Sequence, residues 1–273
     1  MMENQKEANQ VDHYGSQYGN FENSIVSAVR REAFGKDIGQ TGWLTAEEQD
    51  LFINWLNLQQ GQRLLDIACG SGRPAIRIAQ KTGCHLTGID LHQEGIDNAQ
   101  QHADRIGLSP HSEFLCADAS QRLPFEDAAF DALMCIDAIN HLPDRKAILK
   151  EWRRVLKPSG VLLYTDPIIV TGPMSNEEIT IRSSIGYFLF VPSGVNERML
   201  KESQFQIERV DDRTHNMAMN AGKWLEARAH YERQLRVIEG EENFEGQQVF
   251  FKTASELAAQ RRLSRFSFIA RAI

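Results

Sequence analysis

The chain holds 273 residues with a formal net charge of −7, and 42% of them are apolar. That length supports an α/β core with added elements, and the acidic balance argues against a basic nucleic-acid surface. No apolar run approaches membrane-spanning length and the opening MMENQKEANQVDHYG is polar, so a cytoplasmic protein without a membrane partner is expected. Cys69, Cys84, Cys116 and Cys135 lie in or beside apolar segments without C-x-x-C spacing, and read as small buried hydrophobes in a reducing compartment. The eight histidines show no ligand spacing, so no metal is expected.

Residues 1–58 read as a polar arm and helical lid. Helices are predicted at Asn23 to Glu32 and Thr45 to Leu56, where Thr45 and Glu48 form a capping-box pattern ahead of Leu51, Phe52 and Trp55. Residues 59–170 form the predicted core. LLDIACGSGRP, Leu64 to Pro74, is a buried strand, a glycine-rich turn and a helix start. Strands at Arg63–Ala68, His85–Asp90, Ser112–Asp118, Phe130–Ile136 and Gly160–Thr165 alternate with helices, which predicts a parallel sheet covered on both faces. Asp66, Asp90, Asp118 and Asp137 all fall at carboxyl ends of these strands, where such sheets bind ligands.

Residues 171–273 supply a second lid, a helical cap and the final strands. The long connection after strand five is expected to arch over the sheet's carboxyl edge, while its Phe188, Leu189 and Phe190 fit anchoring in the core equally well. Phe205–Thr214 and Arg265–Ala272 read as strands six and seven, separated by helices at Ala221 to about Ile238 and Phe244 to Ala259. The expected fold is therefore Rossmann-like: a doubly wound, seven-stranded, mostly parallel sheet with a helical cap inserted between strands six and seven. The insertion also leaves room for a homodimer surface.

Gly70 and Gly72 allow a sharp turn with close backbone approach, and Asp90, some twenty residues on, lies where a ribose presents its hydroxyls. With Ala75 these glycines also fit the dinucleotide pattern of nicotinamide-dependent oxidoreductases. Asp66 discriminates, because a carboxylate at the turn repels a pyrophosphate and attracts a cation. From these residues the chain resembles the class I S-adenosylmethionine-dependent methyltransferases. The resemblance continues through FLCADAS (114–120), LPFEDAAFDALMCIDAINHL (123–142) and LKPSGVLLYTDP (156–167). It implies S-adenosylmethionine as cofactor, with Asp66, Ala68, Gly70 and Gly72 at the methionyl end. It also implies Asp90 with Leu91 at the ribose, and Asp118 with Ala119 at the adenine. Ile136, Gln40 and Thr41 complete the implied cofactor set.

Methyl transfer from a sulfonium needs a positioned nucleophile, and a base only where that nucleophile must lose a proton. In IDAINHL, Asp137 precedes His141 by four residues. This spacing resembles the phosphoethanolamine-type N-methyltransferases and, more loosely, the sarcosine/dimethylglycine group. That likeness implies an acid and a histidine beside the acceptor, closed over by an N-terminal tyrosine, for which Tyr18 is the first candidate and Tyr14 the second. The expected activity is in-line methyl transfer to an N or O nucleophile of a small molecule, with His141 oriented by Asp137; C-methylation is the alternative. Arg182 is read here as a solvated surface residue, with pairing to an anionic acceptor group the less favoured reading.

Overall fold

The computed structural model describes residues 13–273. Three helices come first: α1 (His13–Gly19), α2 (Ser24–Phe34) and α3 (Ala46–Leu56). The central sheet then forms from β1 (Arg63–Ile67), β2 (His85–Asp90), β3 (Ser112–Cys116), β4 (Phe130–Cys135) and β5 (Leu156–Val170). These five run parallel in the order β3-β2-β1-β4-β5. Helices α4 (Arg73–Thr82), α5 (Gln93–Arg105) and α6 (Arg145–Val155) connect them. After β5 come α7 (Asn176–Arg182), β6 (Val191–Pro192) and α8 (Val195–Glu202). Next are β7 (Phe205–Asp212), three cap helices, α9 (Thr214–His230), α10 (Glu232–Glu239) and α11 (Glu241–Ala259), and finally β8 (Leu263–Ala272). Strand β8 lies antiparallel between β5 and β7. The two-residue β6, paired with β5, makes the sheet eight-stranded where seven strands were expected.

Strand alternation sorts the core into two layers. Leu64, Ala132, Met134 and Leu163 pack with α3, α4 and α5, whereas Leu65, Leu133, Cys135 and Leu162 pack with α6 and α8. A third apolar cluster joins α2 to α9 and α11, through Val29, Ala33, Trp224, Phe250 and Phe251. The anchoring expected of the 188–190 segment is divided between two apolar clusters. Leu189 packs against the sheet core, while Phe188 and Phe190 pack against the helical cluster.

Several local readings change. The single helix expected over 221–238 starts earlier, at Thr214, and breaks at Tyr231 between α9 and α10. Strand β7 accordingly stops at Asp212, whose side chain accepts from the Thr214 amide at 2.9 Å. The strand expected from Gly160 begins earlier, at Leu156, with Pro158 and Gly160 in an excursion inside β5: Leu156 pairs with Phe130 and Val161 with Ala132, leaving four residues between them. Only half of the capping box at α3 forms. Thr45 accepts from the Glu48 amide at 3.1 Å, but the Glu48 carboxylate turns away to Arg265. Cys116 is exposed, contrary to its reading as a buried hydrophobe, because β3 is an edge strand. Among the described residues, no helix is long and apolar enough to cross a membrane.

Candidate functional site

The turn after β1 enters the left-handed region at alternate residues, with φ of 57° at Ala68, 54° at Gly70 and 67° at Gly72. A Cβ on Gly72 would stand 2.6 Å from the Ala99 Cβ and 2.9 Å from the Phe114 ring, so both backbone and packing require glycine there. Gly72 thus lies behind the turn, against α5 and β3. Asp90 ties the turn to the second strand: one carboxylate oxygen accepts from the Gly70 amide at 2.8 Å, the other from the His92 amide at 2.9 Å. Asp66 is 5% exposed. Burial and the nearby Asp90 push its carboxyl well above the ordinary range, and no cation among the described residues offsets them.

In front of these strand ends lies a cleft of about 350 Å³. Ala68, Asp90, Leu91, Asp118, Ala119 and Ile136 line it, and it brings together residues the sequence placed on four separate strands. A side lobe holds Gln40, Thr41, Asp66 and Gly70. Gln40 is committed to its own loop, accepting from the Ile38 amide at 2.8 Å and donating to the Lys36 carbonyl. Asp118 accepts from the Ser120 amide at 2.8 Å, which helps hold its carboxyl below the usual range.

The cleft shares Thr41, Gly42, Asp137 and His141 with an adjoining second lobe, walled by Trp43, Phe188, Phe250 and Phe251. His141 sits in a short 3-10 turn, Ile139–His141, after β4. Its Nδ1 lies 2.9 Å from the Tyr187 carbonyl and its Nε2 2.8 Å from the Tyr14 hydroxyl. A carbonyl can only accept, so Nδ1 carries the proton and Nε2 accepts from Tyr14. Burial holds the imidazole down at about 4.

Three expectations change here. Asp137 does not orient His141: its Oδ1 accepts from Arg265 Nε at 2.6 Å and from Thr165 at 2.7 Å, and its Oδ2 accepts from the Trp43 amide at 2.9 Å. The φ of Asp137 is 55°, and this network fixes it there. Arg265, 0% exposed, is also paired with Glu48 at 2.7 Å. The tyrosine on His141 is Tyr14, because Tyr18 sits one helical turn further along α1 and covers Gly70 instead. Asn98 anchors that helix by donating to the Tyr18 carbonyl at 2.9 Å. Arg182 is buried, not solvated, at 1% exposure. Sequence reasoning missed Arg265 as well, although a charged residue in the otherwise apolar strand FSFIA region was a signal that an acid must meet it.

Residues 65–164 match a family profile described as a methyltransferase domain. The O-methyltransferase rstn1 of Aspergillus nomiae is 31% identical over 158 residues, which are 58% of this chain and 70% of that protein. The 27-O-demethylrifamycin SV methyltransferase of Amycolatopsis mediterranei is 35% identical over 49% of this chain and 48% of its own length. Phosphoethanolamine N-methyltransferase 1 of Zea mays is 34% identical over 66% of this chain and 35% of its own length. The chain therefore spans half or less of these last two relatives. In fold it matches the cyclopropane synthase MmaA2 of Mycobacterium tuberculosis, at a TM-score of 0.80 and 20% identity, over 96% of this chain and 98% of that one. On the profile match, the likeness to rstn1 over 70% of its length and the shared fold, the chain belongs to the class I S-adenosylmethionine-dependent methyltransferase family.

Proposed function

We propose that this protein transfers the methyl group of S-adenosylmethionine to a nitrogen or oxygen nucleophile on a small-molecule acceptor. One observation carries the reading: the acidic cleft at the strand ends and an adjoining aromatic lobe share a wall that holds an uncharged, hydrogen-bonded histidine. The cofactor fits because the buried Asp66 carboxyl stands beside Asp90, and no cation among the described residues offsets it. A ligand bearing a sulfonium and an ammonium offsets that charge, whereas a dinucleotide pyrophosphate would add to it, which counts against the nicotinamide reading.

Asp66, Ala68, Gly70, Gln40 and Thr41 would then surround the methionyl end, with Gly72 shaping the turn from behind. Asp90 and Leu91 would meet the ribose, and Asp118, Ala119 and Ile136 the adenine side. When bound, S-adenosylmethionine supplies an electrophilic methyl group on a sulfur that leaves readily. The protein's own contribution is to exclude water and to hold the nucleophile at about 3 Å from that group. His141 Nε2 presents a lone pair toward the lobe, at the position where Tyr14 donates. An acceptor N–H or O–H replacing that donor would be aligned by it. A pKa near 4 suits alignment better than storage of a proton, since an efficient base titrates near the working pH. Asp137 acts as a positioning residue, fixing the loop that carries His141.

The test is incubation with methyl-labelled S-adenosylmethionine and a panel of small amines, phenols and carbon acids, read by mass spectrometry. Labelled N- or O-methyl product with matching S-adenosylhomocysteine is expected. A new C–CH3 bond overturns the acceptor assignment; cofactor binding without any methylated product overturns methyl transfer itself.

A further inference from the structure

We propose that Arg182 and Asn140 recognise an anionic group, a carboxylate or a phosphate, on the methyl acceptor. The inference deepens the reading of the aromatic lobe given above and rests on it. Five arginines are buried among the described residues: Arg30, Arg145, Arg182, Arg228 and Arg265. Four of them meet a carboxylate of the protein, namely Asp37, Asp166, Glu239 and Glu48 respectively. Arg182 meets none, and both its Nε and Nη1 lack a hydrogen-bond partner.

Aromatic rings do not replace that partner. The Phe250 ring lies 4.2 Å from the guanidinium carbon, Phe188 5.6 Å and Trp43 5.9 Å. Such contacts use the face of the cation, whereas its N–H bonds point outward in the plane and still need acceptors. Asp137, which lines the same lobe, is already engaged by Arg265, Thr165 and the Trp43 amide. Burial accordingly lowers the Arg182 pKa to about 9, with Tyr14 the one group that raises it.

Asn140 supplies the second half. It is 1% exposed, lines the same lobe, and neither atom of its side-chain amide has a partner. A guanidinium fork and an amide N–H are the donors that a carboxylate or phosphate takes up in planar recognition. The arginine is also held in place. Its helix α7 begins with a complete capping box of Ser175 and Glu178, and Arg262 clamps Glu178 at 2.6 Å. A fixed, desolvated and unpaired cation costs stability on its own, which an anionic ligand in the lobe would offset.

Benzoate and phenyl phosphate, with benzamide and benzyl alcohol as neutral counterparts, can be titrated calorimetrically into protein saturated with S-adenosylhomocysteine. At least tenfold tighter binding of an anionic probe is expected, and whichever of the two wins identifies carboxylate or phosphate as the group. Arg182→Met should abolish the preference while leaving S-adenosylhomocysteine affinity unchanged. In the ligand-free protein it should also raise the melting temperature by a few degrees, because an unpaired buried charge is gone. Arg182→Lys, which keeps the charge and loses the fork, should retain part of the preference and decides the matter where the Met variant does not fold. Equal affinities for charged and neutral probes, or a preference untouched by either substitution, overturn the proposal. Failure of the wild-type protein to bind S-adenosylhomocysteine would instead overturn the methyltransferase reading beneath it.

Discussion

The two halves of the proposed site, a cofactor cleft and an acceptor lobe, are assembled in different ways. In the cofactor cleft the key bonds run between a side chain and a nearby backbone amide: Asp90 to His92 and Asp118 to Ser120 are two residues apart, and Asp90 to Gly70 twenty. In the acceptor lobe the bonds join remote segments. Tyr14 reaches His141 across 127 positions, Arg265 reaches Asp137 across 128, and Arg265 reaches Glu48 across 217. Backbone geometry at a strand end demands particular residues locally, so the first half is set by the chain within a few residues of each strand end. The second half depends on which helices the chain lays across the sheet, and it can change without disturbing the first.

Removing the longest of these ties tests that separation most severely. Arg265→Met leaves Glu48 and Asp137 buried together without their cation. Breaking a buried pair in this way costs about 3–5 kcal/mol, to be read as a lower urea midpoint. A loss below about 1 kcal/mol would mean that the network is ornamental to the fold, against the anchoring role given to it.

A smaller effect, confined to the other half, is expected from Asp90→Ala. Two backbone amides lose a charged acceptor, a loss of about 2–3 kcal/mol if both bonds contribute to the ligand-ready turn. S-adenosylhomocysteine should then bind about 30- to 150-fold more weakly, while the anionic-probe preference of the acceptor lobe, measured at saturation, stays as in wild type. Unchanged S-adenosylhomocysteine affinity would remove Asp90 from the cofactor site.

This contrast also explains what the sequence revealed. The glycine turn, Asp66, Asp90 and Asp118 were legible because each marks a local requirement: a positive φ, a strand end, a tight approach to Ala99 and Phe114. The strands of the sheet were legible from their apolar runs, apart from β6, whose two residues are too short to leave a pattern. His141 was legible only by likeness, and its partners were not. Tyr14 and Tyr18 share a face of one helix, and nothing in their spacing says which covers the turn and which the imidazole. Glu48 carried a true capping signal, yet its carboxylate served Arg265, because a charge buried in β8 outweighs one capping bond. Arg182 lies in a charged-looking and partly exposed segment, EEITIRSS, and its own burial follows from the cap helix that brings Phe250 against it about seventy residues later.

The gentlest probe of the acceptor lobe is the pH dependence of stability. His141 titrates at about 4 in the folded protein and near 6.5 when unfolded. Between those values the unfolded chain binds a proton that the folded one refuses, so stability is fully present above 6.5 and declines as pH falls toward 4. At pH 5 the loss from this one group amounts to about 1–2 kcal/mol. Asp66 works in the opposite sense, because a carboxyl raised by burial gains stability on acidification, so the wild-type curve alone is ambiguous. His141→Ala separates the two: the variant should lose less stability than wild type between pH 7.5 and 5, by about that same 1–2 kcal/mol, in urea titrations at each pH. Parallel curves for the two proteins would show that the imidazole is solvated in the ligand-free state. The Tyr14–His141 contact would then not be the resting closure of the lobe, and the acceptor would meet an open histidine instead of displacing a tyrosine from it.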